Sequence, residues 1–163
     1  MSERCNAADP VVILGAGAWG TALAIALAPR RNVTLWGRNQ QAMSAIAATR
    51  ENDAYLPGAS LPDNVAVTYD LDAALASADN ALLIVATSVA GLRPTLAELR
   101  NHSISSLIWL CKGFEEGTRL LPHQVAREVL GSGIPVGALS GPSFAREVAQ
   151  GLPCALTAAS VDD

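Results

Sequence analysis

The sequence predicts an α/β fold: a doubly wound, mainly parallel sheet with helices on both faces. Three observations carry that prediction. Short apolar runs alternate with helical stretches along the whole chain. Two of the runs, Ala81 to Ala86 and Leu107 to Cys111, are apolar without period-2 alternation, as central parallel strands covered on both faces should be. A glycine-rich segment, Val11 to Ala24, joins a β-branched run directly to a row of helix formers.

Taken in order, Pro10 to Leu14 is the first strand and Thr21 to Ala28 the body of the first helix. Val33-Thr34-Leu35-Trp36 is the second strand, running into Gly37-Arg38-Asn39, and a helical pattern follows near Gln41. Glu51 to Asn64 is the least regular stretch. Pro57, Gly58 and Pro62 favour turns there, which predicts a surface loop between the second helix and the third strand. Strands near Val65, Ala81, Leu107, Val136 and Ala155 then alternate with helices near Leu71, Leu92, Leu121 and Ala145. Half of the 163 residues are apolar, enough for one ordinary core, and no repeat or linker divides residues 1–163.

Composition excludes several classes. A net charge of -4 with few aromatics makes no electrostatic case for nucleic acid, and the arginines cluster near the glycine turn instead of covering one face. No apolar run reaches membrane-spanning length and the N-terminus MSERCNAADP is polar, so no membrane insertion and a cytoplasmic location are expected. Cys5, Cys111 and Cys154 are odd in number and widely spaced, which predicts reduced thiols, no metal site, and a buried Cys111. His102 and His123 lack a neighbouring acid in sequence and read as surface residues. Hydrolase, metalloprotease and P-loop patterns are missing.

The glycines form G-x-G-x-x-G at Gly15, Gly17 and Gly20. Their steric roles differ: the first permits a tight turn, the second lets backbone approach a pyrophosphate, and the third lets helix and strand pack closely. Placed between strand and helix, the motif marks a Rossmann-like dinucleotide site, with the helix N-terminus facing the diphosphate. An NAD-preferring site usually has an acid at the end of the second strand for the ribose hydroxyl. Arg38 stands there instead, no Asp or Glu occurs between Pro10 and Glu51, and Arg30, Arg31 and Arg50 make the stretch basic. NADP or NAD is therefore the expected cofactor, with NADPH preferred on the strength of Arg38.

A second constellation lies downstream. Lys112 is the single lysine beside ten arginines; it closes the apolar run Leu107 to Cys111 and precedes Gly113. Ligands of open parallel sheets bind outside the carboxyl ends of strands, so this ammonium is placed to hold an anionic or carbonyl substrate. Ser140 to Glu147 reads as a turn followed by a helix start, with Ser143 as the cap. Two readings stand level here: a second helix N-terminus facing an anion, or an ordinary cap with Glu147 in the first turn.

Together these segments resemble bacterial NAD(P)-dependent glycerol-3-phosphate dehydrogenase. The resemblance is carried by Gly15 to Ala24, Leu35 to Arg38, Tyr55 to Gly58, Cys111 to Glu115, Leu139 to Ala145, and Leu152-Pro153. Beside the cofactor contacts of the motif glycines Gly15, Gly17 and Gly20, it implies cofactor contacts at Ala18, Trp19, Arg38, Lys112 and Ala145, with Tyr55 near the cofactor, and substrate contacts at Lys112, Gly141 and Ser143. Two positions depart from the family's usual residues: Ala18, where Ser is usual, and Thr87, where Pro is usual. The implied reaction is reduction of dihydroxyacetone phosphate to sn-glycerol 3-phosphate for glycerophospholipid synthesis. Members continue into an all-helical domain that supplies a catalytic lysine and the grip on the substrate phosphate. The expectation is thus a single NAD(P)-binding domain, inactive or nearly so by itself, with no catalytic residue of its own. Surfaces that would meet the helical domain are expected to promote self-association. The alternative from another class is a stand-alone NADPH-binding sensor or docking module.

Overall fold

A computed structural model describes residues 9–76 and 80–160. Cys5 and Val161 to Asp163 lie outside the described residues. Among the described residues, six helices and nine strands follow one another along the chain. β1 (Val11–Leu14) leads to α1 (Ala18–Leu27), β2 (Val33–Trp36), α2 (Gln40–Thr49), β3 (Glu51–Asn52), β4 (Leu56–Ser60) and β5 (Val65–Thr68). α3 (Leu71–Leu75), β6 (Leu82–Val85), α4 (Val89–Leu99), β7 (Ser106–Trp109), α5 (Pro122–Leu130), β8 (Val136–Ser140), α6 (Ala145–Ala149) and β9 (Thr157–Ser160) complete the order.

Seven strands form one sheet in the order β5-β2-β1-β6-β7-β8-β9. All neighbours are parallel except β8 and β9, which pair antiparallel from Gly137 opposite Ser160 to Ser140 opposite Thr157. The chain winds outward from β1 to β2 and β5, then returns to β6 on the other side of β1. That reversal opens a crevice beyond the carboxyl ends of β1 and β6, where doubly wound sheets bind ligands.

β1 shows why its four residues are uniformly apolar. Val11 and Ile13 enter one core layer with Ala22 and Leu23 of α1, Met43 and Ile46 of α2, and Val148 of α6. Val12 and Leu14 enter the other, with Leu92, Leu96 and Leu99 of α4 and Val125 of α5. Successive side chains point to opposite faces, and both faces are covered.

The loop expected over Glu51 to Asn64 is corrected in part. β3 and β4 pair as an antiparallel ribbon, irregular between Glu51 and Asn52, with Tyr55 in the connecting turn. Leu56 and Leu61 are buried in the same layer as α1 and α2, so burial of two leucines organises a segment whose prolines and glycine suggest irregularity.

Candidate functional site

Two glycines around the turn after β1 stand where a side chain cannot be accepted. Gly15 has φ of 124°, a region closed to most L residues, and a Cβ there would lie 2.8 Å from the Ala86 carbonyl oxygen beyond β6. A Cβ on Gly20 would collide with the Gly15 carbonyl oxygen. Gly17 is different: it is the N-cap of α1, and a Cβ there would meet nothing within 4 Å. Protein contacts demand the first and third glycines, and open space in front of the turn accounts for the second. The α1 N-terminus has no side-chain cap and no acid in its first turn, so its N–H groups and positive dipole end suit a diphosphate. The residues present therefore fit a dinucleotide.

Asn52, which no sequence motif marks, is buried beneath this turn. Its Nδ2 donates to the Ala16 carbonyl oxygen at 3.0 Å and to Thr21 Oγ1 at 2.8 Å. No local signal could reveal it, because the turn it serves lies 36 positions earlier.

A cleft of about 670 Å³ opens beside the turn, lined among others by Gly17, Arg38, Met43, Asn52, Tyr55 and Thr87. Arg38 and Tyr55 are exposed on its wall. The basic stretch resolves into separate roles. Arg50 caps α2 in the left-handed region, and its Nη2 donates to the carbonyls of Pro62 and Val65, so it ties the ribbon to β5. Arg31 donates to the Asp9 carbonyl at 3.1 Å, and Arg30 is exposed on the same turn after α1. Of the four arginines, Arg38 alone lines the cleft. Glu51 and Asp53 also line it, so a segment free of acids does not make a wall free of acids. The Glu51 carboxylate accepts the Gly58 N–H.

The second constellation assembles around a small cavity of about 80 Å³. Trp19 from α1, Lys112 from the loop after β7, and Gly141 and Ser143 from the segment after β8 line it together. Ala18 and Trp19 form the half-buried first turn of α1. Lys112 itself is exposed, but its loop is fastened. Glu115, buried three residues on, takes both Nε and Nη2 of Arg93 from α4, at 2.7 and 2.9 Å, and the Thr118 hydroxyl at 2.6 Å. Arg93 also reaches Glu128 of α5 at 3.1 Å. The Arg93 and Thr118 hydrogen bonds hold the Glu115 carboxyl below the ordinary carboxylate range. In sequence Glu115 is only the end of a family-like segment; its partner Arg93 lies 22 positions earlier.

Ser143 does not cap α6, contrary to expectation. Its hydroxyl instead donates to the Ala155 carbonyl and accepts the Ala155 N–H, each at 3.2 Å. The N-cap is Phe144, whose N–H is taken by Glu147 at 3.2 Å, so Glu147 acts in the first turn without Ser143. Gly141 is required by close approach, since a Cβ there would collide with the Ala155 carbonyl oxygen. Ala145 begins α6 and is buried in the α1 layer, which leaves only its backbone to meet a ligand.

His102 also differs from expectation, with Nε2 3.6 Å from Asp72 Oδ1, whereas His123 is exposed. Cys111 is partly buried just beyond β7, and burial pushes its thiol up to about 11; Cys154 is exposed and both are free. Among the described residues no cluster of three metal-ligating side chains occurs, and no helix is long and apolar enough to cross a membrane.

Comparison with known proteins gives consistent matches. The family model described as the N-terminus of NAD-dependent glycerol-3-phosphate dehydrogenase matches residues 10–163. A glycerol-3-phosphate dehydrogenase [NAD(P)+] from Paucimonas lemoignei is 60% identical over 154 residues, covering 93% of this chain and 46% of the relative. One from Herminiimonas arsenicoxydans is 59% identical over 151 residues, covering 92% and 46%. The crystal structure of glycerol-3-phosphate dehydrogenase from Coxiella burnetii superposes with a TM-score of 0.87 at 32% identity, over 96% of this chain and 48% of that one. The chain thus spans about half the length of the relatives it matches.

Proposed function

From the premise that the chain belongs to the NAD-dependent glycerol-3-phosphate dehydrogenase family, matching its N-terminal part, we propose that residues 1–163 are a single NAD(P)-binding domain. It serves an enzyme that reduces dihydroxyacetone phosphate to sn-glycerol 3-phosphate, in the cytoplasm, for glycerophospholipid synthesis. One observation carries the reading: Trp19, beside the glycine turn, shares a cavity with Lys112, Gly141 and Ser143. A nucleotide turn followed at once by a wall residue of the lysine pocket suits a reaction between a cofactor and a small phosphate.

A bound nicotinamide nucleotide supplies the hydride. The protein orients it through the Gly17 turn and the first-turn backbone of Ala18 and Trp19, with Tyr55 and Arg38 flanking the adenosine end. Lys112 holds the substrate at the cofactor edge, and Gly141 and Ser143 shape the wall behind it. Reduction of a ketone also needs a proton donor and a counter-charge for the phosphate. The family resemblance implies that the proton donor is a lysine of the helical domain found in members, outside these 163 residues, which hold Lys112 alone.

The test follows NADPH absorbance with dihydroxyacetone phosphate. The 163-residue polypeptide is expected to bind NADPH and to turn over well below ~1 per second, the low end of ordinary enzymes. Ordinary turnover overturns this division of labour. NADPH preference rests on Arg38 alone, since Glu51 and Asp53 share the cleft. Self-association is supported by the edge strand β9, exposed at every residue, and by exposed Phe114, Phe144 and Leu152. Light scattering that stays monomeric at high concentration overturns it.

A further inference from the structure

We propose that Asn52 is a positioning residue for the dinucleotide: by holding the Ala16 carbonyl inward, it turns the Gly17 N–H out toward the diphosphate. The inference rests on the dinucleotide reading of the cleft and adds a residue to it. A peptide unit is planar and trans, so the C=O of one residue and the N–H of the next point in opposite directions. The Ala16 oxygen is fixed at 3.0 Å from Asn52 Nδ2, and the Ala16–Gly17 peptide therefore aims the Gly17 N–H away from Asn52. Gly17 lines the cleft, and a Cβ on it would meet nothing within 4 Å, so backbone here is open to a ligand.

The arrangement is locked at both ends. Asn52 is only 2% exposed, and the same Nδ2 donates at 2.8 Å to the hydroxyl of Thr21, which has no exposed surface. Thr21 belongs to α1, and its own N–H donates back to the Gly17 carbonyl at 3.0 Å. The amide thus joins both sides of the turn, Ala16 before Gly17 and Thr21 after it. Losing it leaves the Ala16 carbonyl without its partner and frees the peptide to rotate. Its N–H would then spend less time facing the ligand, a penalty of the kind preorganisation removes.

The experiment measures NADPH affinity by fluorescence and the ¹H–¹⁵N shift of the Gly17 amide, in wild type, Asn52→Ala and Thr21→Val. In wild type the Gly17 amide is expected to shift on saturation. Asn52→Ala is expected to weaken binding at least about tenfold and to shrink that shift, whereas Thr21→Val, which keeps the shape, weakens it about threefold. Folded Asn52→Ala with affinity within twofold of wild type overturns the proposal. So does weakened binding with the Gly17 shift at saturation unchanged, which puts the loss elsewhere in the cleft. If Asn52→Ala does not fold, Thr21→Val decides, and unaltered affinity there overturns the proposal. A wild type that binds NADPH without moving the Gly17 amide rejects the role of Asn52 alone, and a wild type that does not bind rejects the cleft itself.

Discussion

The glycine turn and the Lys112 pocket are joined at Trp19, which follows the turn in α1 and lines the pocket, yet they are held in different ways. The turn is set mainly by backbone against backbone: Gly15 against Ala86, Gly20 against Gly15. The lysine pocket is set mainly by side-chain ties between positions distant in sequence, Arg93 on Glu115 and Ser143 on Ala155, with one backbone approach at Gly141. Steric exclusion is absolute and leaves a residue-type signature; hydrogen-bonded ties between ordinary polar residues leave none. The difference explains why the turn carries a glycine motif, whereas the lysine pocket, apart from Gly141, does not.

Breaking the turn should have the largest effect. Gly20→Ala must displace the Gly15 carbonyl, at a cost of about 1–3 kcal/mol, which for a chain of this size lowers Tm by roughly 2–12 °C in calorimetry. NADPH binding should fall with it. A variant with unaltered Tm and affinity would place the turn among tolerant backbones and erase the contrast.

Breaking a tie in the other half should be milder and pH-dependent. Glu115→Gln removes a carboxylate whose folded pKa lies below its ordinary value of 4.5. Such a group stabilises fully above the unfolded pKa, and that stabilisation is lost as pH falls through the folded one. The Tm gap between wild type and Glu115→Gln is therefore widest near neutrality, begins to narrow near pH 4.5, and closes at more acid pH. A gap constant from about pH 7 to about pH 3 would show that the tie does not work through charge.

Arg38→Ala sharpens the comparison within the nucleotide half. NADPH affinity should drop about tenfold, the worth of one charge-assisted contact of about 1.4 kcal/mol, with NADH changed less than about twofold. Equal losses would remove the role given to the 2′-phosphate. The smallest effect concerns thiols. With its thiol pushed up to about 11, Cys111 should react with a disulfide reagent more slowly than exposed Cys154 when followed by peptide mapping. Its rate should climb about tenfold per pH unit below that value, as the thiolate fraction does. Equal rates at mildly alkaline pH would show that the end of β7 is open.

The fold was legible because its signals are local. β1 and β6 are apolar throughout and short, and the glycines stand between strand and helix. The ribbon β3 and β4 was not legible, because burial of Leu56 and Leu61, a tertiary event, outweighed the turn chemistry of Pro57 and Gly58. The partners of the site were hidden for a related reason. Asn52 and Glu115 are ordinary polar residues whose roles exist only once Ala16 and Arg93 arrive beside them. Ser143 shows the converse: its sequence suited a cap, and a bond to Ala155 claimed it instead.

The pairing of Val11 with Leu82 brings together strands about seventy residues apart, a closure whose entropic cost precedes any gain from the contacts it makes. Ala86, which bounds the space around Gly15, arrives only with that pairing. A chain that has joined β1 to β2 but not to β6 holds every residue of the glycine motif and still lacks the wall behind it. Cofactor capture during refolding would then time the docking of β6, making the ligand a clock for the slow, non-local step of sheet assembly.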